Sequence, residues 1–240
     1  MRIIFIRHGD PDYEKDSLTE KGGREAGLRA ERVGRWKGTD FFVSPLGRAQ
    51  DTASLSLKKA GRKAQTLSGL REFHAPVNDP VRGESVIPWD FYPGFWTKEE
   101  GMYDRNSFAD TAVMRSGPVK EEFARVCTGL DELLARYGYV REGGIYRTDL
   151  SDKTQRDAVI VLFCHMGITL YLCGHLLGIS PVVLTAGFFL APTSVTVLAS
   201  EEREEGSAYF RCQAAGDTAH LLIGGEPVSH MGYFTEPFQG

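Results

Sequence analysis

The chain opens on Arg2-Ile-Ile-Phe-Ile6, an unbroken apolar, β-rich run that stops at Arg7 and His8. Such a run, with no polar alternation, predicts a strand buried on both faces, as in a parallel sheet. Leu18-Thr-Glu-Lys-Gly-Gly then starts a helical pattern reaching about Trp36, with Thr19 placed to cap it. Asp40-Phe-Phe-Val43 predicts a second short strand, Ser44-Pro-Leu-Gly a turn, and Arg48 to about Ala60 a second helix. Ala64-Gln-Thr-Leu67 reads as a third strand.

Residues 73–117 break this pattern: they are rich in Pro, Gly and aromatics and have weak periodicity. A helix returns from Val119 to Tyr137, with Phe123, Val126, Leu130, Leu133 and Leu134 on one face. Asp157 to Phe163 is the clearest strand of the chain, and Gly167 to Leu177 the helix after it, ending at Gly178. Ser194–Ala199 and Ala208–Gln213 alternate as a terminal strand pair around the charged stretch Glu201-Glu-Arg-Glu-Glu-Gly206, read as its turn. Strands alternating with helices predict a three-layer α/β/α sandwich with a mainly parallel sheet, formed by residues 1–240 as one domain. Residues 73–117 then form an aromatic-rich inserted cap at one end of the sheet.

Composition narrows the function classes. The formal charge of −4 argues against a general nucleic-acid binder, which needs a basic face. The strongest apolar run, Ala158 to Cys164, is far short of the ~20 residues of a membrane span. No signal peptide is expected, because Arg7 and His8 interrupt the apolar start. Cys127, Cys164, Cys173 and Cys212 contain no CxxC pair and read as reduced thiols, two or three of them in the core, of a cytoplasmic protein. No pair of histidines has metal-ligand spacing, so neither a metal nor a cofactor is expected.

The chemistry lies at strand ends. Arg7, His8 and Gly9 follow the first strand, Arg48 begins the helix after the second, and His165 follows the strand ending at Phe163. Ligands of open α/β sheets bind beyond the carboxyl ends of strands. Two guanidiniums, two imidazoles and at least one helix N-terminus at one edge suit an anion, and an imidazole can attack phosphorus. A lone strand-end His is more often structural and a lone Arg more often solvated. Only the combination points to phosphoryl transfer.

These residues resemble the histidine phosphatase superfamily, which includes the cofactor-dependent phosphoglycerate mutases. Arg7-His8-Gly9 is similar to its RHG signature, and Leu18-Thr19 with Gly22 to its L-T-x-x-G helix start. Ser44-x-Leu46-x-Arg48-Ala49-x-x-Thr52-Ala53 matches S-x-L-x-R-A-x-x-T-A in full. Leu70-x-Glu72 resembles its L-x-E, Val161 to Gly167 its second-histidine motif, and Asp217-Thr-Ala-His-Leu221 its ending. The resemblance implies that His8 becomes phosphohistidine and that Arg7, Arg48 and His165 clamp the phosphoryl oxygens. It implies that Glu72 is the general acid, since Met166 occupies the place of the acid that another branch carries after its second histidine.

The mutase-specific stretch after the glutamate is missing, because Phe73-His74-Ala75-Pro76 follows Glu72. Residues 73–117 carry four basic side chains (Arg82, Lys98, Arg105, Arg115) against seven acidic ones, a poor second anion site. Their eight aromatics either stack on the substrate or form a small core of their own. The expected activity is a metal-independent phosphomonoesterase on a small phosphorylated substrate. A phosphoglycerate-mutase-type transferase is the alternative. A metal-dependent phosphatase using Asp10 and Asp12 ranks lower, because Arg7-His8-Gly9 intervenes between the strand and Asp10. A catalytically dead phosphate-binding module ranks lower too, because Arg7, His8, Arg48, Glu72 and His165 are all present. Glu84 and Asp10 are the reserve candidates for the acid. Self-association as a homodimer stays open.

Overall fold

The computed structural model describes residues 1–36, 40–148 and 156–239. Its central sheet is built from β1 (Arg2–Arg7), β2 (Asp40–Val43), β3 (Ala64–Thr66), β4 (Tyr139–Glu142), β5 (Ile145–Thr148), β6 (Val159–Cys164), β7 (Val195–Glu204) and β8 (Ser207–Asp217). The order across the sheet is β3-β2-β6-β1-β7-β8-β5-β4. The first four run parallel, and β7, β8, β5 and β4 continue the sheet in antiparallel pairs. The sheet is therefore mixed, and its parallel half carries the strand ends that matter below.

Strand alternation divides the core into two layers. Ile3, Phe5, Phe42, Ile160 and Leu162 face one cluster, and Ile4, Ile6, Phe41, Val43, Val161 and Phe163 the other. The second cluster is covered by α1 (Glu20–Val33) and α2 (Gly47–Ala60), the first by α3 (Val119–Ala135) and α4 (Met166–Leu177). This is the expected three-layer α/β/α arrangement. α4 buries every residue from Gly167 to Leu176, as a helix apolar on all sides must. α5 (Pro181–Gly187) and α6 (Ala219–Gly224), which the apolar pattern does not reveal, pack against α4 and α1 respectively.

Thr19 caps α1 as expected, its Oγ1 accepting from the Gly22 amide at 3.0 Å. Gly61 and Gly178 end α2 and α4 in the left-handed conformation, with φ of 63° and 71°. One expectation is corrected: Glu201 to Glu204 are not a turn but the end of β7, and the reversal falls at Glu205–Gly206. The strand pair runs past the core, where backbone bonds between the two strands hold it whatever the side chains.

Residues 73–117 form short ribbons and single helical turns rather than a separate unit. Phe73, Phe91 and Phe108 are buried in the same cluster as α3 and α4, with Trp89, Phe95 and Trp96 packed against it. Tyr92 and Tyr103 are exposed. Cys127, Cys164 and Cys173 are buried free thiols, and Cys212 is exposed. Among the described residues, no helix is long and apolar enough to cross a membrane.

Candidate active site

β1 and β6 run side by side with Arg7 opposite Cys164, so His8 and His165 leave the sheet as neighbours. Their ring centroids are 5.1 Å apart. The His8 backbone is pinned on both sides: its N–H donates to the Cys164 carbonyl, and its carbonyl accepts from the Thr193 amide, each at 3.0 Å. Thr193 holds this place with φ of 59°, a conformation that costs a β-branched residue energy. The His8 ring faces the Gly9 carbonyl, with Nδ1 2.7 Å from the oxygen. A carbonyl only accepts, so Nδ1 carries the proton and Nε2 is left with a free lone pair. Burial, then the charges of Arg7 and Arg48, push the His8 pKa well below the usual 6.5. The ring is thus neutral at neutral pH.

His165 Nε2 lies 2.8 Å from the Ser44 Oγ, while its Nδ1 is buried with no hydrogen-bond partner among the described residues. Burial, His8 and the nearby guanidiniums lower its pKa well below 6.5 as well. Arg48 Nε and Arg7 Nε are likewise buried and unpartnered. Arg7 is held by two carbonyls, Nη1 donating to Leu190 O at 2.6 Å and Nη2 to Met231 O at 2.9 Å. Phe189 lies beneath its guanidinium, and Tyr13 beneath that of Arg48. The C-terminal segment therefore crosses this edge of the sheet, and Ser229 Oγ reaches the Asp10 carboxylate.

The expected helix N-termini do arrive here, but each receives a carboxylate of the protein itself. Asp16 accepts from the Gly47 amide at the start of α2, and Glu72 accepts from Gly167 and Ile168 at the start of α4. Glu72 also accepts from the Phe73 amide at 2.8 Å. Burial raises its pKa, against the pull of these three amides and of Arg7. The carboxyl stands on the first turn of the helix that follows His165.

Other candidates lie elsewhere or are engaged. Asp10 is bound by Thr19 and Ser229, and Asp12 by Lys15. Glu84 is 61% exposed beside Arg82. His175 lies between Asp131 and Arg105, and His220 touches Thr193 Oγ1. Gly9 has a packing reason: a Cβ there would sit 2.7 Å from the Gly22 carbonyl oxygen. Among the described residues no cluster of His, Cys, Asp or Glu could hold a metal ion. Sequence reasoning did not single out Tyr13, Asp16, Trp89 or Thr193. The positive φ of Asp16 and Thr193 has no marker in a single sequence, and Trp89 was one of eight similar residues.

Residues 3–86 match the sequence profile of the histidine phosphatase superfamily (branch 1). Over those residues the chain is similar to that superfamily. It is 33% identical over 97 residues to a probable phosphoglycerate mutase GpmB of Yersinia enterocolitica, covering 37% of this chain and 45% of that protein. It is 26% identical over 143 residues to a probable phosphoglycerate mutase GpmB of Serratia proteamaculans, covering 55% and 65%. The chain thus spans less than two thirds of the length of these curated relatives. In fold it resembles a mycobacterial glucosyl-3-phosphoglycerate phosphatase, with a TM-score of 0.61 and 22% identity over 90% of this chain and 98% of that one. It also resembles a phosphoserine phosphatase of Entamoeba histolytica, with a TM-score of 0.57 and 20% identity over 92% and 98%. The branch 1 histidine phosphatase profile covers Arg7, His8, Arg48 and Glu72, while His165 lies beyond it.

Proposed function

We propose that the protein is a phosphomonoesterase working through a phosphohistidine on His8. The observation that carries this reading is the His8 ring itself: Nδ1–H committed to the Gly9 carbonyl and Nε2 free, in a setting that keeps the ring neutral. Nε2 attacks phosphorus as the P–O bond to the leaving group breaks. Arg7, Arg48 and the unpartnered His165 Nδ1 stabilise the charge on the transferring oxygens. Glu72 gives its proton to the leaving oxygen. The carboxylate then takes a proton from the water that attacks phosphorus, and the N–P bond breaks.

Hydrolysis is favoured over mutase transfer by the engagement of two of the four cations in residues 73–117. Arg82 is bound by Asp79 and Asp90, and Arg105 by His175, so neither is free for a second anionic group. The positive charge the reaction needs comes from the guanidiniums of Arg7 and Arg48, so turnover is expected to survive EDTA. The test is rapid quenching with a labelled phosphomonoester: acid-labile, alkali-stable phosphate on His8, with labelling and turnover both lost in His8→Ala. Full turnover in His8→Ala would sink the reading. Phosphate exchange on 3-phosphoglycerate that outpaces hydrolysis would favour the mutase.

A further inference from the structure

Gly167 is the meeting point of two side chains from the preceding segment. A Cβ on it would lie 2.4 Å from Trp89 Cη2, 2.8 Å from Trp89 Cζ2 and 2.7 Å from Glu72 Oε1. The benzenoid edge of the indole and the carboxylate therefore share the small space over the first turn of α4. Trp89 also packs on Tyr171 and Phe73, with centroids 5.8 and 6.4 Å away.

Trp89 is fixed from several directions. Its amide donates to the Ile87 carbonyl at 2.8 Å, and Tyr171 Oη donates to the Pro88 carbonyl at 3.4 Å. Arg82 ties Asp90, the next residue in the chain, to Asp79. A half-buried indole held this firmly occupies volume that water would otherwise fill.

We propose that Trp89 is a positioning residue for proton transfer, its indole edge keeping water off the Glu72 carboxyl so that this group can carry the proton handed to the leaving oxygen. The inference rests on the reading of Glu72 as the acid. A carboxyl walled by an aromatic ring favours its neutral form, because the charged form loses hydration there. The groups facing Glu72 from the packed elements are Arg7 of β1, the thiol of Cys164 of β6, and Tyr171 with the Gly167 and Ile168 amides of α4. Arg7 and the amides, with that of Phe73, favour the anion. Burial outweighs them, and Trp89, Phe73 and Tyr171 supply it. Phe73 and Tyr171 are themselves buried core residues, which leaves Trp89 as the replaceable part of the wall.

The experiment compares wild type, Trp89→Phe, Trp89→Ala and Trp89→Ala in a Glu72→Gln background. The kcat/KM pH profile is recorded on an alkyl phosphate and on p-nitrophenyl phosphate. On the alkyl ester, Trp89→Ala should move the basic limb about one unit toward acid, the size of shift a partial change in burial produces. Trp89→Phe should restore it, the nitrophenyl profile should hold, and the Glu72→Gln background should show no further shift. The titration of the Glu72 carboxyl is read separately, by infrared difference between each protein and its Glu72→Gln counterpart, and this needs no turnover. A carboxyl that titrates at the same pH with and without Trp89 overturns the inference. Absence of phosphatase activity, or equal losses on both esters in Glu72→Gln, would overturn the underlying reading instead, and the infrared titration would still decide the role of Trp89.

Discussion

Asp16 lies across the start of α2 and holds Arg48: its Oδ1 accepts from Arg48 Nη1 at 2.5 Å and its Oδ2 from the Gly47 amide at 2.7 Å. The protein's own carboxylate thus takes one guanidinium N–H and one helix-end N–H beside His8. Burial raises the Asp16 pKa, but the bonds from Gly47 and Arg48 outweigh it and hold the group below the usual range. Asp16 therefore stays ionised at neutral pH, and under the proposed function it competes with phosphate for Arg48.

Replacing Asp16 by Ala should free that guanidinium. Inorganic phosphate and vanadate should inhibit about three- to tenfold more tightly, a fraction of one charge-assisted bond. The start of α2 loses a side-chain acceptor that the N-cap Leu46 does not supply, so stability should fall by about 1 kcal/mol. Weaker phosphate inhibition would instead assign Asp16 to orienting Arg48.

The parts of this site that were legible in the sequence are those written in local pattern. β2 runs from Asp40 to Val43, as the apolar run implies, because both its faces are buried. His8, Arg48 and His165 follow buried strands and so reach one edge. The β4–β5 hairpin left no such mark: only Tyr139, Tyr146 and Thr148 point inward, and Val140 and Ile145 are exposed. Asp16, Glu25 and Trp89 act through partners far along the chain, on Gly47, Asp10 and Gly167, and no periodicity encodes such pairs.

Neighbouring glycines of α1 should respond in opposite ways. A Cβ on Gly22 would sit 2.2 Å from the Asp10 carbonyl oxygen, whereas one on Gly23 meets nothing within 4 Å. Gly22→Ala must push the loop after His8 away from the helix, costing about 2 kcal/mol or more with a sharp loss of kcat. Gly23→Ala, in a helix interior, should stabilise by about 0.5–1 kcal/mol and leave kcat unchanged. Thermal unfolding and turnover of the pair provide the check, and a tolerated Gly22→Ala would contradict the close packing.

Glu72→Gln keeps through its carbonyl oxygen the two amide contacts made to Oε1, from Phe73 and Ile168, sets its NH2 against the Gly167 amide, and has no proton to give. General acid catalysis is worth about 10²–10⁴-fold where the leaving group needs a proton. An alkyl phosphate should lose kcat on that scale, and p-nitrophenyl phosphate, with its weakly basic leaving group, far less. Comparable modest losses on both esters would pass the role to Glu84 or Asp10.

Glu25 sets a pH dependence of stability that can be isolated. Its side chain is fully buried, with Oε2 accepting from the Asp10 amide at 2.9 Å and Oε1 left 3.6 Å from Lys21 Nζ without a hydrogen bond. Burial pushes its pKa up to about 7, opposed by the Asp10 amide and Lys21. A folded pKa above the unfolded value means that the folded state binds the extra proton. The contribution is therefore complete below pH 4.5 and is lost as pH rises through about 7. At about 1.4 kcal/mol per unit over the interval from 4.5 to about 7, the loss is on the order of 3–4 kcal/mol. His8, His165 and His220 run the other way: their pKa values are lowered chiefly by burial, so their contribution is lost as pH falls below 6.5. Glu25→Gln keeps an acceptor for the Asp10 amide and does not titrate. Urea unfolding of wild type and variant at pH 5, 6.5 and 8 cancels the histidines and leaves Glu25. The variant should gain on the wild type steadily with pH, and a difference independent of pH would mean that Lys21 keeps Glu25 ionised throughout.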